Sequence, residues 1–384
     1  MMKVACLNKI SPVGTKRLPK DYEIVDDLQS AELILVRSAN MHEQPISKNL
    51  IAVARAGAGV NNIPLEAMAE AGVVVFNTPG ANANGVKELV LAGMFLSARD
   101  IIGGVNWVKD NAADPEINKT VEKAKAAFGG TEILGKTIGV IGLGAVGGKV
   151  AKACADLGMK VLGYDPYLSA ESKAELPQDI KIETLLDAIY AESDYLSLHL
   201  PLLESTKKMI NQKVFEKVKP GVVLLNFSRD QLVDDDALLD AINSGIVRKY
   251  VTDFPNHKTA NMPGVIAIPH LGASTEESED NCAMMAVDEL VKFVEEGQIK
   301  NSVNFPPLIG GKLNGNHRIL ILRHADDGFL AKLTAALAGK AEVKSIVDKT
   351  NQLYASTLVD LKDVFTDLKL INQFDSVIKT RIVK

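Results

Sequence analysis

Short apolar runs closed by polar or glycine-rich loops recur over the first 80 residues: VACLN from Val4, LILV at 33–36, IAVAR at 51–55 and VVVF at 73–76. Runs of this length, alternating with stretches of helical period, predict strands buried on both faces of a parallel sheet. The last three enter Arg37-Ser38-Ala39-Asn40, Ala56-Gly57-Ala58-Gly59 and Asn77-Thr78-Pro79-Gly80. Ligands of such sheets bind beyond the carboxyl ends of the strands, so these loops are candidate ligand loops. From Gly85 to Lys109 the pattern predicts one long helix. A second βα series opens at Lys136, with strands in KTIGVIGLG, VLGYD, YLSLHL, VVLLNFS, RKYVTD and IAIPHLG, and helices near 182–190 and 211–217 among those between them. Glu276–Glu296 reads as an amphipathic helix. Residues 308–316 (LIGGKLNGN) read as a linker, and the remainder as strand–helix–strand–strand–helix–strand, a ferredoxin-like split unit. The fold class is α/β: two Rossmann-like domains with parallel sheets and a C-terminal βαββαβ domain.

Composition narrows the function. The 384 residues, 47% of them hydrophobic, suffice for two or three buried cores. A net charge of −5 disfavours general binding to nucleic acid or a membrane surface, without excluding a local basic pocket. Cys6, Cys154 and Cys282 are scattered, odd in number and form no CxxC pair, so buried thiols in a reducing compartment are expected, with no metal framework. The N-terminus lacks a signal-peptide core, and the longest apolar run, Leu89–Ala98, is too short to span a bilayer. A soluble, cytoplasmic protein is expected.

Three features carry chemistry. Gly142-Leu143-Gly144-Ala145-Val146-Gly147 follows a predicted strand and opens a predicted helix, and the next strand ends in Asp165, 18 residues beyond Gly147. In that context the first glycine permits the turn, the second lets backbone approach a pyrophosphate, and the third allows close helix–strand packing. The helix N-terminus favours the pyrophosphate. Asp165 would accept from both ribose hydroxyls and repel a 2′-phosphate, favouring NAD over NADP. Arg229 closes the VVLLNF strand, where a guanidinium can hold a carboxylate in a fork; a surface ion pair with Asp230 or Asp234–Asp236 is the plain alternative. His270 follows another strand on the same edge, and an imidazole suits reversible proton exchange.

GLGAVG, YDP, HLPLLEST, NFSRD with VDDDAL, IPHLGAST, RAGAGVNNI, the NTPG loop and NSVNFP occur in the order and spacing of one family. Together they make the chain resemble the D-2-hydroxyacid dehydrogenases over nearly its whole length. The resemblance implies a substrate domain of residues 1–92 and 284–307, an NAD domain of 93–283 inserted into it, and a regulatory or assembly domain similar to ACT domains at 317–384. It implies Arg229 as the substrate-orienting arginine and His270 as the acid/base. Gly142, Gly144, Ala145, Val146, Gly147, Asp165, His199, Pro201, Thr206, Phe227, Ser228, Asp253 and Gly272 would line the cofactor. Arg37 and Ser38 would contact a distal phosphate, with Asn62 and the backbone of Gly57, Ala58 and Gly59 at the carboxylate end. The implied reaction is oxidation of 3-phospho-D-glycerate by NAD in a homodimer or homotetramer.

Four departures from the family pattern stand out. His257 falls where relatives carry a glutamate bonded to the catalytic histidine, a residue that would raise its pKa. Either Glu276, Glu277 or Glu279 turns inward to replace it, or the VTDFPNHKTA loop shifts so that no side chain does, or His257 faces solvent and His270 works alone. Asp230 stands where glycine is usual and could pair with Arg229. The Arg37 loop carries Ala39, with Asn84-Gly85 further on, where some relatives have more basic or hydroxyl residues, leaving more of the phosphate to Arg37. Asp326 and Glu342 stand where serine-binding ACT domains place asparagines, which predicts weak or absent serine feedback. Two other readings stay open: a reductase of an unphosphorylated 2-keto acid such as glyoxylate, hydroxypyruvate or pyruvate, and a non-catalytic NAD-sensing protein.

Overall fold

The computed structural model describes residues 1–383. The chain forms two compact units, Met1–Asn82 with Glu276–Lys384, and Ala83–Thr275. The first unit begins with β1 (Met2–Cys6), β2 (Tyr22–Val25), β3 (Leu33–Val36), β4 (Ala52–Arg55) and β5 (Val74–Phe76). They form one parallel sheet in the order β2-β1-β3-β4-β5. Every residue of β3 and β5 is buried, which is why their sequences show no polar alternation. The strand order reverses between β1 and β3, so the loops leaving these strands flank a crevice. Helix Glu276–Glu296 covers the sheet, its Ala286, Leu290 and Phe293 packing with Leu33, Leu35, Ala54 and Phe76.

The second unit holds β6 (Thr137–Ile141), β7 (Lys160–Tyr164), β8 (Lys181–Ile182), β9 (Tyr195–Leu198), β10 (Val222–Asn226), β11 (Val247–Thr252) and β12 (Val265–Ala267). All seven are parallel, in the order β12-β11-β10-β9-β6-β7-β8. This is the doubly wound arrangement, with its reversal between β6 and β9. Separate apolar layers cover the two faces, one around Val140, Val150 and Val223, the other around Ile141, Leu196 and Leu224. Helix Ala83–Ala98 packs so closely on the sheet that a Cβ on Gly93 would lie 2.8 Å from the Phe227 ring.

Four antiparallel strands end the first unit: β13 (His317–His324), β14 (Val343–Thr350), β15 (Tyr354–Leu361) and β16 (Val377–Val383), in the order β14-β15-β13-β16. With helices Phe329–Leu337 and Lys369–Asn372 between them, this is the expected βαββαβ. The strand period of two splits β13 between two cores. Ile319 and Ile321 meet Phe329 and Leu333 on one side, while Leu320 and Leu322 join Phe293, Phe305 and Tyr354 on the other. The carboxyl end of helix Glu276–Glu296 is closed by this sheet. Arg381 donates to the carbonyls of Phe293 and Val294, and Arg318 to that of Glu296 at 2.9 Å. These side chains satisfy carbonyls that a helix end leaves open.

Several elements differ from the sequence reading. The helix expected over 85–109 is two, Ala83–Ala98 and Ile101–Asp110, because the Asp100 carboxylate accepts from the Gly103 amide at 2.9 Å and caps a new start. The short β2 and β8 and helix Leu65–Glu70 had no strong period to announce them, while the amphipathic helix Ile117–Ala124 lies in a stretch that the sequence reading left unassigned. Leu308, at the head of the expected linker, is buried and pairs with Ile299 in a β-bridge. Cys154 and Cys282 are buried as expected, but Cys6 is half-buried. No helix among the described residues is long and apolar enough to cross a membrane.

Candidate active site

In the second unit, β6 ends in the glycine turn and helix Ala145–Asp156 follows. The three glycines differ physically. Gly142 has φ 92°, and a Cβ there would lie 2.3 Å from the His199 carbonyl oxygen. A Cβ on Gly147 would lie 1.8 Å from the Gly142 carbonyl oxygen. Around Gly144 nothing comes within 4 Å of the Cβ position. Two glycines are therefore required by the protein's own backbone, and the third leaves open space at a helix N-terminus, as a pyrophosphate cradle needs. Ala145 and Val146 form the first turn of that helix.

Asp165 stands just beyond β7. Its Oδ2 accepts from the Leu143 amide and its Oδ1 from Tyr167, both at 2.9 Å. The carboxylate thus fixes the glycine turn and retains lone pairs for ribose hydroxyls. His199, after β9, bonds Ser197 Oγ through Nε2 at 2.9 Å, and burial pushes its pKa down to about 4. A neutral imidazole therefore underlies the turn near neutral pH. Beyond it Thr206 shapes the loop, donating to the Pro201 carbonyl at 2.7 Å and accepting from the Leu203 amide at 2.8 Å.

The loop after β10 hangs on a residue the sequence reading passed over. Buried Asn226 donates to the Arg229 carbonyl at 2.8 Å and to Tyr250 Oη at 3.0 Å, and accepts from the Ser228 amide at 3.2 Å. Ser228 Oγ donates to the Leu198 carbonyl at 2.7 Å. The Phe227 side chain turns into the core against Gly93 and Val251, so only its backbone is free to face a cofactor.

Arg229, Asp253, Phe254, His270 and Gly272 gather at the ends of β10, β11 and β12. The His270 ring lies 4.4 Å from the Phe254 ring, and the Arg229 guanidinium lies over the same ring at 5.4 Å. Arg229 also donates to the Ser228 carbonyl at 2.5 Å. No ion pair forms between Arg229 and Asp230 among the described residues; Asp230 instead starts the turn Asp230–Leu232. Asp253 is 1% exposed, and its Oδ2 accepts from the Gly272 amide at 3.0 Å while its Oδ1 is buried without a partner. Burial pushes this carboxyl up, and the Gly272 amide and the charges of His270 and Arg229 draw it back. An unmatched buried acceptor beside an imidazole suits an amide donor such as a nicotinamide carboxamide. His257 is exposed on a turn held by Asn256, whose Oδ1 accepts from Lys258 and Thr259 and whose Nδ2 donates to Asp235. No hydrogen bond or ring contact joins His257 to His270 among the described residues.

In the first unit, Asn8 follows β1 and its Oδ1 accepts from three successive amides, Arg37, Ser38 and Ala39, at 3.1, 3.1 and 2.9 Å. Asn62 donates to the Ala39 carbonyl at 2.8 Å, so its amide closes the same loop from the other side. Gly57 has φ 152°, with the Arg55 guanidinium 2.3 Å from its Cβ position, a space only glycine leaves. The Ala58 carbonyl accepts from Asn77 at 2.7 Å, and Gly59 follows on the partly exposed loop. Arg37 is paired with Glu279 at 2.7 Å. The Glu279 carboxylate is thus engaged by Arg37, while Glu276 and Glu277 are exposed.

Residues 91–272 match the family model described as D-isomer specific 2-hydroxyacid dehydrogenase, NAD binding domain. The chain is 35% identical over 292 residues to a hydroxypyruvate reductase of Thermotoga maritima, covering 73% of this chain and 90% of that one. It is 34% identical over 299 residues to a D-3-phosphoglycerate dehydrogenase of Archaeoglobus fulgidus, covering 74% of this chain and 54% of that one. The chain thus spans about half the length of several curated relatives it matches. Among solved structures it is similar to the NAD-bound 3-phosphoglycerate dehydrogenase of Entamoeba histolytica, with TM-score 0.62 and 26% identity, covering 79% of this chain and 98% of that one. With a glycine turn, an acidic strand end and a matched NAD-binding region on one doubly wound sheet, the chain belongs to the D-isomer specific 2-hydroxyacid dehydrogenases.

Proposed function

We propose that this chain oxidises 3-phospho-D-glycerate to 3-phosphohydroxypyruvate with NAD, the first step of serine biosynthesis. The observation that carries the choice of substrate is Arg37, a guanidinium on a loop held by three bonds to Asn8 and suited to a distal phosphate. The relatives named D-3-phosphoglycerate dehydrogenase support the same substrate. In this reading Arg37 and Ser38 hold the phosphate, and Asn62 with the Gly57–Gly59 backbone holds the carboxylate end. Arg229 orients the substrate carboxylate and polarises C2. His270 accepts the hydroxyl proton on a ring nitrogen as the C2 hydrogen leaves with its electron pair, so that C2–OH becomes C2=O. NAD, when bound, supplies the hydride acceptor. Phe254, in contact with both Arg229 and His270, limits the sway of each and so keeps the proton acceptor near the carbonyl. Asp253 offers its unpaired Oδ1 to the carboxamide, and Asp165 accepts from the ribose. NADH formation with 3-phosphoglycerate, D-glycerate and D-lactate at equal concentration tests the reading. Activity on none of the three would end it.

A second reading, NADH-dependent reduction of an unphosphorylated 2-keto acid, is supported by the Thermotoga relative and by the carboxylate beside Arg37. Arg37→Ala separates the two, raising KM for a phosphorylated substrate far more than for hydroxypyruvate. The same proposal makes residues 317–384 an ACT-type regulatory or assembly domain of a cytoplasmic homodimer or homotetramer. Its two expected effector positions are already engaged. Asp326 accepts from the Gly328 amide at 2.9 Å and from Lys332 at 3.0 Å. Glu342, between Lys344 and Lys362, is held down to about 2. Neither acid is free to meet the amino group of serine.

A further inference from the structure

Arg37 and Glu279 meet from distant parts of the chain. Arg37 leaves β3, and Glu279 sits in the first turn of helix Glu276–Glu296. One guanidinium nitrogen lies 2.7 Å from Glu279 Oε1, with side-chain exposures of 37% and 44%. The loop itself does not need this pair. Its amides bond Asn8, and the Arg37 carbonyl accepts from Arg55 Nε at 3.0 Å. The contact engages one guanidinium nitrogen and leaves the other N–H groups for a ligand. Glu279 is therefore not a support of the loop. What it adds is a negative charge beside the cation proposed to receive a phosphate.

A phosphate monoester carries about −1.5 to −2 charges near pH 7, against one for a carboxylate. Seated on the remaining donors of Arg37, it would lie roughly 6 Å from the Glu279 carboxylate, a repulsion that solvent and salt weaken without removing. For an exposed pair such an effect is worth roughly a 1.5- to fivefold change in affinity. A substrate lacking the phosphate does not meet this repulsion. We propose that Glu279 is a specificity-determining residue, whose carboxylate beside Arg37 lowers the preference of the substrate loop for phosphorylated over unphosphorylated keto acids. This deepens the proposed function and rests on its placement of the distal phosphate at Arg37.

The test compares wild type with Glu279→Gln and Glu279→Ser, two variants so that misfolding of one leaves the other. The readout is the ratio of kcat/KM for 3-phosphohydroxypyruvate to that for hydroxypyruvate, with NADH. The ratio is expected to rise about 1.5- to fivefold, carried by KM for the phosphorylated substrate, with kcat nearly unchanged. Calorimetric binding of inorganic phosphate is expected to tighten by a similar factor. If neither keto acid is reduced by wild type, the proposed function fails, while the phosphate titration still tests Glu279. An unchanged ratio, equal changes for both substrates, or phosphate binding unchanged or weakened in the variants would overturn the inference.

Discussion

Replacing Gly144 or Gly147 by alanine should separate a ligand requirement from a folding requirement within one six-residue turn. Gly147 lies inside helix Ala145–Asp156, where alanine normally stabilises by about 1 kcal/mol. Here the added methyl would sit 1.8 Å from the Gly142 carbonyl oxygen, an atom of the β6 turn that cannot move without disturbing the strand. Overpacking of this kind costs about 1–3 kcal/mol or more, so the balance is destabilising and Tm should fall by several degrees. At Gly144, φ is −66° and ψ −160°, open to any residue, and no atom lies within 4 Å of the new methyl. Loss of a glycine N-cap and gain in chain stiffness nearly cancel, leaving stability within about 1 kcal/mol. The methyl would, however, fill the space a pyrophosphate enters. A loss of about 1.4 kcal/mol or more, tenfold in Kd, is expected for NAD. Thermal unfolding without ligand and calorimetric titration with NAD read the two effects separately. Gly144→Ala binding NAD like wild type would show that the open space is not the cradle. A normal Tm for Gly147→Ala would show that the close contact with Gly142 is not needed.

Other outcomes follow from single contacts. His199 titrates near 4 in the folded protein against about 6.5 unfolded, so its contribution is complete above pH 6.5 and is lost as pH falls toward 4. Allowing for partial exposure, this is about 2 kcal/mol, and His199→Gln should flatten stability over that window in urea melts. The Arg318–Asp360 pair is 3% exposed on both sides, so Asp360→Ala should cost about 3–5 kcal/mol by leaving a buried cation, while Arg318→Met with Asp360→Leu should recover much of it in thermal melts. His270→Asn should lower kcat by about 10²–10⁴-fold, whereas His257→Ala should leave the pH profile of kcat/KM unchanged; a shifted profile would return His257 to the site. Serine up to millimolar concentrations should leave the rate unchanged, and micromolar inhibition abolished by Asp326→Ala would refute the reading of that domain.

What the sequence disclosed, and what it hid, follows from the range of the interactions. The glycine turn was legible because the positive φ of Gly142 and the approach of Gly147 to the Gly142 carbonyl are local, although the His199 carbonyl that also crowds Gly142 is not, and the Asp165 spacing because one helix fixes it. The buried strands Leu33–Val36 and Val222–Asn226 were legible because both faces are covered and their composition shows it. Asn8 and Asn226 were not, since an asparagine that holds three amides of a distant loop, or ties its own loop to Tyr250, looks like any other polar residue near a strand end. The Arg37–Glu279 pair needed the last helix of the first sheet to be laid in place. The break at Asp100 was hidden because apolar residues continue across it, and only the carboxylate's bond to Gly103 marks a new start. The two histidines were separable only in part: family order pointed to His270, but the solvent exposure of His257 depends on how Asn256 folds its turn.

The sharing of one core by the first sheet, helix Glu276–Glu296 and the C-terminal strands orders the events of synthesis. The strands that leave the ribosome first belong to the unit finished last, because Leu320, Leu322, Tyr354 and Val383 complete a core begun by Val4. The unit Ala83–Thr275 is whole long before that and can fold while translation continues at about 5–20 residues per second. During those seconds the first sheet waits with its helix side uncovered. Nascent chains stalled before β13 should therefore bind chaperones through the first unit, even though the NAD-binding region behind them is already folded.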